Sequence, residues 1–279
     1  MDITSITSFR RARTRDDLVL APGETFIAGG TWLMSEPQPG TTGFVDLTSM
    51  GWPALEITAA GLRIGATCTI AELVAWAGGR GGLRVPEGWA AASVIPHAAN
   101  ALLASFKVWN TATVGGNVCR AFAAGSMTAL VVTLDGIAEV WRADGSAYRI
   151  AVAELVTANG ENALGQGDVL RAIDLPDAAL RARAALHKIA LAEHGRSGAV
   201  VSGRLDEDGS CVIVVTAATE RPSVFRFEGI PDAAALAAAI SGAAGYYSDP
   251  LGAADWRRGV SVVLGERIRR DLFDGEETA

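Results

Sequence analysis

Asn110-Thr111-Ala112-Thr113-Val114-Gly115-Gly116-Asn117 is the stretch best equipped for chemistry. Adjacent glycines let a backbone approach a ligand and take up positive φ. Thr111, Thr113 and Asn117 add side-chain donors beside the backbone N–H groups, which is the chemistry of an anion cradle suited to a pyrophosphate or a ring edge. A turn made of small residues is the plain alternative. A second stretch, Phe26-Ile27-Ala28-Gly29-Gly30-Thr31-Trp32-Leu33, runs a short apolar strand into a Gly-Gly-Thr turn. Two such loops about a subdomain apart are less easily put down to turn chemistry than one.

Other site chemistries find no support. The chain contains no G-x-x-x-x-G-K-[ST], no H-E-x-x-H and no G-x-G-x-x-G after a strand. Gly195-Arg196-Ser197-Gly198 is not a nucleophile elbow, because Ala199 takes the last glycine position. Cys68, Cys119 and Cys211 lie far apart, without the spacing of a zinc or iron–sulfur site, so reduced and mostly buried thiols are expected.

These residues belong to a chain of 279 residues, long enough for one large or two ordinary domains. With 49% hydrophobic residues it can bury a substantial core. A net charge of −7 and the lack of a basic run argue against nucleic acid as a partner. Lys107 and Lys188 are the only lysines. No apolar run has the length of a membrane span, and Met1-Asp2-Ile3-Thr4 opens no signal pattern, so a cytoplasmic location is expected.

The elements that must position the two loops follow from patterning. Arg15 to Leu20 reads as a short helix capped by Thr14, with Asp17 at the capping-box position. Phe26–Ala28, Phe44–Leu47 and Leu62–Ala66 read as strands, and Thr69 caps a helix from Ile70 to Ala77. Gly78-Gly79-Arg80-Gly81-Gly82 follows that helix and is read as a surface loop. Residues 88–106 are helical in pattern with a break or kink at Pro96. The Gly-Gly-Asn stretch is read as a loop. A helix (127–134), a strand (137–141), a hairpin turn at Asp144-Gly145, a strand (148–152), a short helix (153–156) and a strand (169–175) come next. Strands at 184–191, 199–205 and 211–217 then precede helices at 232–240 and 253–272, which suggests an α+β unit beginning near residue 178.

The two loops together resemble the flavin-binding loops of the FAD subunit of molybdenum hydroxylases, the family of the xanthine dehydrogenase FAD domain and the carbon monoxide dehydrogenase medium subunit. Its first loop reads A-G-G-T/H/Q and its second R-N-x-A-T-I/V-G-G-N. Further blocks are similar in the same order: Gly61 to Leu73, Asp168 to Pro176, and Asp255-Trp256-Arg257-Arg258. The resemblance implies an α+β chain. A two-subdomain α/β FAD-binding domain of the PCMH/vanillyl-alcohol-oxidase-like type would span 1–178 (about 1–52 and 53–178), and a C-terminal domain of antiparallel sheet plus helices would span 179–279. It implies FAD here, with molybdopterin in a large partner subunit and 2Fe–2S clusters in a small one, in a dimer of heterotrimers. Electrons would pass from those clusters through the flavin to an external acceptor.

By position, the backbone from Ile27 and Ala28 through Gly29, Gly30, Thr31 and Trp32 would hold the pyrophosphate. Thr111 and the run Thr113, Val114, Gly115, Gly116 and Asn117 would hold the remaining phosphate and the ribityl chain. Leu170 matches an apolar residue that packs on the isoalloxazine ring. Lys188 matches a basic residue that reaches the flavin, the alternative being a solvated strand residue. Trp109 replaces the family's arginine, Arg120 its threonine and Ser126 its aspartate. Arg120 is a candidate pyrophosphate partner, since a guanidinium suits that geometry. A flavin-free assembly subunit and a free-standing flavin oxidoreductase stay open as alternatives. Against the latter, His97, His187 and His194 sit in no loop matching a covalent flavin anchor.

Overall fold

The computed structural model describes residues 4–101, 106–192 and 195–274. The N-terminal part is a three-stranded parallel sheet of β1 (Ser8–Arg11), β2 (Glu24–Ile27) and β3 (Gly43–Asp46), in the order β1-β3-β2. The helix expected over 15–20 is a single 3-10 turn at Arg15–Leu18. Its start is as expected, with the Thr14 N–H donating to Asp17 Oδ2 at 2.8 Å. It ends early because Arg10 draws the carbonyls of Asp17 and Val19 onto its guanidinium and Val19 turns extended.

The middle of the chain adds β4 (Leu55–Thr58), β5 (Gly61–Gly65) and α1 (Ile70–Ala77). The expected cap of α1 is complete: Thr69 Oγ1 accepts the Glu72 N–H and Glu72 returns a bond to the Thr69 N–H. The long helix expected over 88–106 is divided. A 3-10 run at Ala90–Val94 passes into α2 (Ile95–Ala101), and α3 (Phe106–Trp109) follows, while 102–105 lie outside the described residues. Pro96 opens α2 at its second residue, where its missing N–H would have had no helical partner.

Gly115-Gly116-Asn117 is not a loop. It lies in the first turns of α4 (Val114–Arg120), with Thr113 as N-cap. Then come α5 (Ser126–Thr133), β6 (Ile137–Trp141), β7 (Ala147–Ala151), α6 (Val152–Leu155), the small hairpin β8 (Val156–Ala158) and β9 (Glu161–Asn162), and β10 (Val169–Pro176). An antiparallel sheet of order β4-β5-β10-β6-β7 results. The core of this region collects Leu62, Ile64, Leu73, Ile95, Leu130 and Ile173 from the sheet and helices. Arg63 on β5 pairs with Asp174 on the adjacent β10 and with Glu139 on β6 beyond it, and Arg149 also pairs with Asp174.

After α7 (Asp177–Arg181) the chain forms a meander of β11 (Arg183–Ala190), β12 (Ser197–Leu205), β13 (Cys211–Thr216) and β14 (Ser223–Phe227), then α8 (Ala233–Ser241) and α9 (Ala254–Asp274). The sheet is covered on both faces. Val200, Val212 and Val214 join the middle core, while Val201, Ile213 and Val215 pack with Leu236, Ile240, Leu264 and Ile268 of the helices. That explains why β13 (Cys211–Thr216) carries four consecutive apolar residues, Val212 to Val215. Arg257, fully buried, donates to the carbonyls of Gly198 and Ala217 and pairs with Asp249. Among the described residues no helix is long and apolar enough to cross a membrane.

Candidate cofactor site

A cavity of about 580 Å³ opens between the N-terminal sheet and the middle region, within the range of small-molecule and cofactor sites. One wall is the stretch 28–33, just past the carboxyl end of β2 in its parallel sheet, the usual place for a ligand in such sheets. The opposite wall is Thr113, Gly115, Gly116, Asn117, Cys119 and Arg120. Asp168, Val169 and Leu170 form the floor. A β-bulge at Arg171, between Leu170 and Ala172, bends β10 at this point.

Hydrogen bonding separates the two stretches. Among the described residues, the backbone N–H groups of Gly29, Gly30, Thr31, Trp32 and Leu33 donate to no protein acceptor. These five consecutive donors border the cavity on part-exposed backbone, where they are open to water or a ligand. The first turn of α4 is the reverse. Val114 N–H donates to the Cys68 carbonyl (2.8 Å), Gly115 N–H to that of Ala66 (3.0 Å) and Gly116 N–H to Thr113 Oγ1 (3.0 Å). The free backbone donors therefore lie in the first stretch, and the second builds the wall facing it.

The glycines show the same division. A Cβ on Gly29 would stand 2.0 Å from the Thr111 carbonyl oxygen, and one on Gly115 2.6 Å from the Ala66 carbonyl oxygen. Both are required for chain-to-chain packing and not for ligand approach. Asn117 Oδ1 accepts the Met127 N–H at 2.9 Å and caps α5. Its NH2 group has no partner among the described residues and is the donor that side chain can offer.

Arg120 enters the cavity wall between two rings. Its guanidinium carbon lies 3.8 Å from the Trp32 centroid and 3.8 Å from that of Phe122. The hairpin β8–β9 braces this turn: Asn159 Oδ1 accepts the Ala123 N–H, and Asn162 donates to the Cys119 carbonyl. Burial pushes the Arg120 guanidinium below its ordinary value, and burial pushes the Cys119 thiol up to about 12.

Of the residues singled out by sequence, Ala28, Gly29, Gly30, Thr31, Trp32, Thr113, Gly115, Gly116, Asn117, Arg120 and Leu170 border the cavity. Ile27 and Val114 lie behind it as buried packing, while Thr111 is exposed outside the wall, its hydroxyl donating to the Lys107 carbonyl at 3.2 Å. Ser126 is buried at the start of α5, without a partner for its hydroxyl and away from the cavity wall. Lys188 is also outside the wall, and its ammonium donates to the Asn100 carbonyl at 2.9 Å at the end of α2. His187 pairs with Asp271, and His194 lies outside the described residues. Sequence reading missed Phe122, Asp168, Val169 and Arg196, which reach the cavity only through tertiary packing. Among the described residues no group of three or more His, Cys, Asp or Glu could hold a metal ion.

Residues 8–178, more than half of the chain, match the model of the FAD binding domain in molybdopterin dehydrogenase. The chain belongs to this family of FAD-binding domains. The unpaired amide row suits the cofactor's diphosphate, so the residues present fit FAD. The fold is similar to that of quinoline 2-oxidoreductase from Pseudomonas putida 86 (TM-score 0.79, 19% identity, 96% of this chain and 97% of that one). It is also similar to CO dehydrogenase from Oligotropha carboxidovorans (0.78, 20%, 94% and 95%) and to carbon monoxide dehydrogenase from Hydrogenophaga pseudoflava (0.78, 15%, 96% and 98%). No curated protein sequence matches the chain.

Proposed function

We propose that this FAD-binding domain protein is the electron-transfer subunit of a cytoplasmic molybdenum hydroxylase. In this reading it takes electrons from 2Fe–2S clusters of a small partner subunit and passes them to an external acceptor. Substrate is oxidised at molybdopterin in a large partner subunit, and the assembly is a dimer of heterotrimers. The observation that carries the reading is the row of five unpaired amide donors from Gly29 to Leu33 beside the cavity. When bound, FAD supplies a ring system that accepts electrons from one partner and releases them to another.

The protein's part is binding and orientation. The amides of residues 29–33 hold the diphosphate, and the Asn117 NH2 group faces them across the cavity as a second anchor. Leu170, with Val169, gives the ring an apolar floor and keeps water from one side. Lys188 acts through α2, whose Asn100 carbonyl accepts its ammonium, and does not touch the ring. The domain limits of the reading are 1–178 for the FAD-binding part and 179–279 for the C-terminal domain.

The test is the visible spectrum of this chain purified with its genomic neighbours, followed by identification of the cofactor released on denaturation. FAD in near-equal ratio to the chain is the expected result. Molybdenum and iron–sulfur signals without flavin would favour the flavin-free assembly subunit, a reading motivated by Ser126 and by Arg120 in the cavity wall. A flavin-loaded chain that elutes alone in size exclusion would favour a free-standing oxidoreductase.

A further inference from the structure

Arg120 carries a charge that no described carboxylate neutralises. Its guanidinium is stacked between Trp32 and Phe122, rings that meet edge to face at 6.2 Å. One N–H donates to the Gly160 carbonyl at 3.3 Å, while Nε is buried without a partner. No carboxylate pairs with it among the described residues. Three other inward arginines are treated differently: Arg204 has Asp135 and Asp206, Arg257 has Asp249, and Arg63 has Glu139 and Asp174. Arg171, over the Trp52 ring, also has a buried nitrogen without a partner among the described residues, but it lies outside the cavity wall. A desolvated cation with no counter-ion is disfavoured unless something else supplies the negative charge.

The surroundings say where that charge would come from. Trp32 belongs to both features: its ring holds the guanidinium, and its backbone N–H is one of the five unpaired donors. Among the described residues Asp168 is the only acid bordering the cavity, and it already accepts from the Gly165 N–H (3.1 Å) and the Tyr148 hydroxyl (3.4 Å). Exposed Arg196, 5.9 Å from the Phe122 centroid, adds a second cation to the wall. The described wall, with Arg120 and Arg196 against Asp168, is thus locally positive in a chain of net charge −7.

We propose that Arg120 is a counter-ion for the diphosphate of the bound dinucleotide, completing the amide cradle of residues 29–33. The proposal rests on the flavin reading above. Trp32 and Phe122 hold the guanidinium plane, so its fork of N–H groups is set before the ligand arrives, and a planar fork can bind two phosphate oxygens at once.

The test is titration of FAD and of riboflavin, which has no phosphate, into the full-length chain, read by flavin fluorescence and thermal shift. Arg120→Gln should weaken FAD binding by roughly 10–150-fold, the range for a hydrogen bond to a charged group, and leave riboflavin binding unchanged. Arg120→Lys keeps the charge but not the fork, and should weaken FAD less and riboflavin not at all. Should the glutamine variant not fold, the lysine variant decides by the same contrast. Unchanged FAD binding in either folded variant would overturn the proposal, as would equal weakening of both ligands, which would make Arg120 a packing residue. A wild-type chain that binds neither flavin would overturn the flavin reading and the proposal together.

Discussion

The Gly29 Cα points a hydrogen at the Thr111 carbonyl, in a space where a Cβ would stand 2.0 Å from that oxygen. This contact fixes the distance between the two walls of the cavity. The obstacle is backbone, so it cannot turn aside as a side-chain tip would. Gly29→Ala is expected to destabilise the fold by about 1–3 kcal/mol or more through overpacking, and to lower FAD affinity by separating the walls. Gly82, where a Cβ would meet nothing within 4 Å, is the control; Gly82→Ala should stay within about 0.5 kcal/mol. Urea unfolding of the two variants makes the comparison, and equal midpoints would refute the account.

Thr113 supports the opposite wall. Its hydroxyl accepts the Gly116 N–H and starts a helix whose second and third residues, Gly115 and Gly116, are poor helix formers. Thr113→Val keeps the shape and removes the acceptor. It should cost about 1 kcal/mol and speed hydrogen exchange at the Gly116 amide, while Thr113→Ser should restore both. Slow exchange in the valine variant would mean that α4 is held by its packing alone.

The same helix shows where the sequence was misleading. Two glycines argue for a loop, and local propensity gives no hint that Ala66 packs against Gly115 closely enough to demand glycine inside a helix. The capping box at Thr69 and Glu72 was legible because both partners lie within one turn. Strands β12 and β13 were legible as consecutive strands of a meander. Strands β1, β4 and β14 were not, because edge strands of four or five residues, Ser8–Arg11 with two arginines among them, carry little pattern of their own. The cradle was legible as Gly-Gly-Thr. Which of the two glycine stretches has free donors was not, since that depends on carbonyls at Ala66 and Cys68, more than forty residues away.

Acid sensitivity should be traceable to Asp135. Burial alone would raise its carboxyl, but hydrogen bonds from Arg226 and Arg204 outweigh this and hold it below the usual carboxylate range. A depressed folded value adds stability that is present above the unfolded value of 3.8 and is lost as pH falls through the folded one. Arg204 also donates to the Thr133 carbonyl, so the network ties α5 to β12. Asp135→Asn keeps the left-handed backbone at φ 51, which asparagine tolerates. Its effect should fall short of the roughly 3–5 kcal/mol of a fully buried pair, because Asp135 is 29% exposed. The gap in unfolding free energy between wild type and variant should be widest near neutral pH and narrow below pH 3.8. A gap that does not vary with pH would assign the loss to packing.

Cys119 borders the cavity, yet it should be a poor nucleophile. Burial pushes its thiol up to about 12, Cys68 follows to about 12 for the same reason, and Cys211 to about 11. Only the thiolate attacks an alkylating reagent. At pH 8 a thiol titrating near 12 is ionised in about one molecule in ten thousand. Iodoacetamide at that pH should therefore leave all three cysteines of the native protein unmodified, and label all three in urea. Mass spectrometry of digests reads each site separately. Rapid native labelling at Cys119 alone would mean that the cavity wall opens around it, and that the contact between Gly29 and Thr111 does not hold the two sides together in solution.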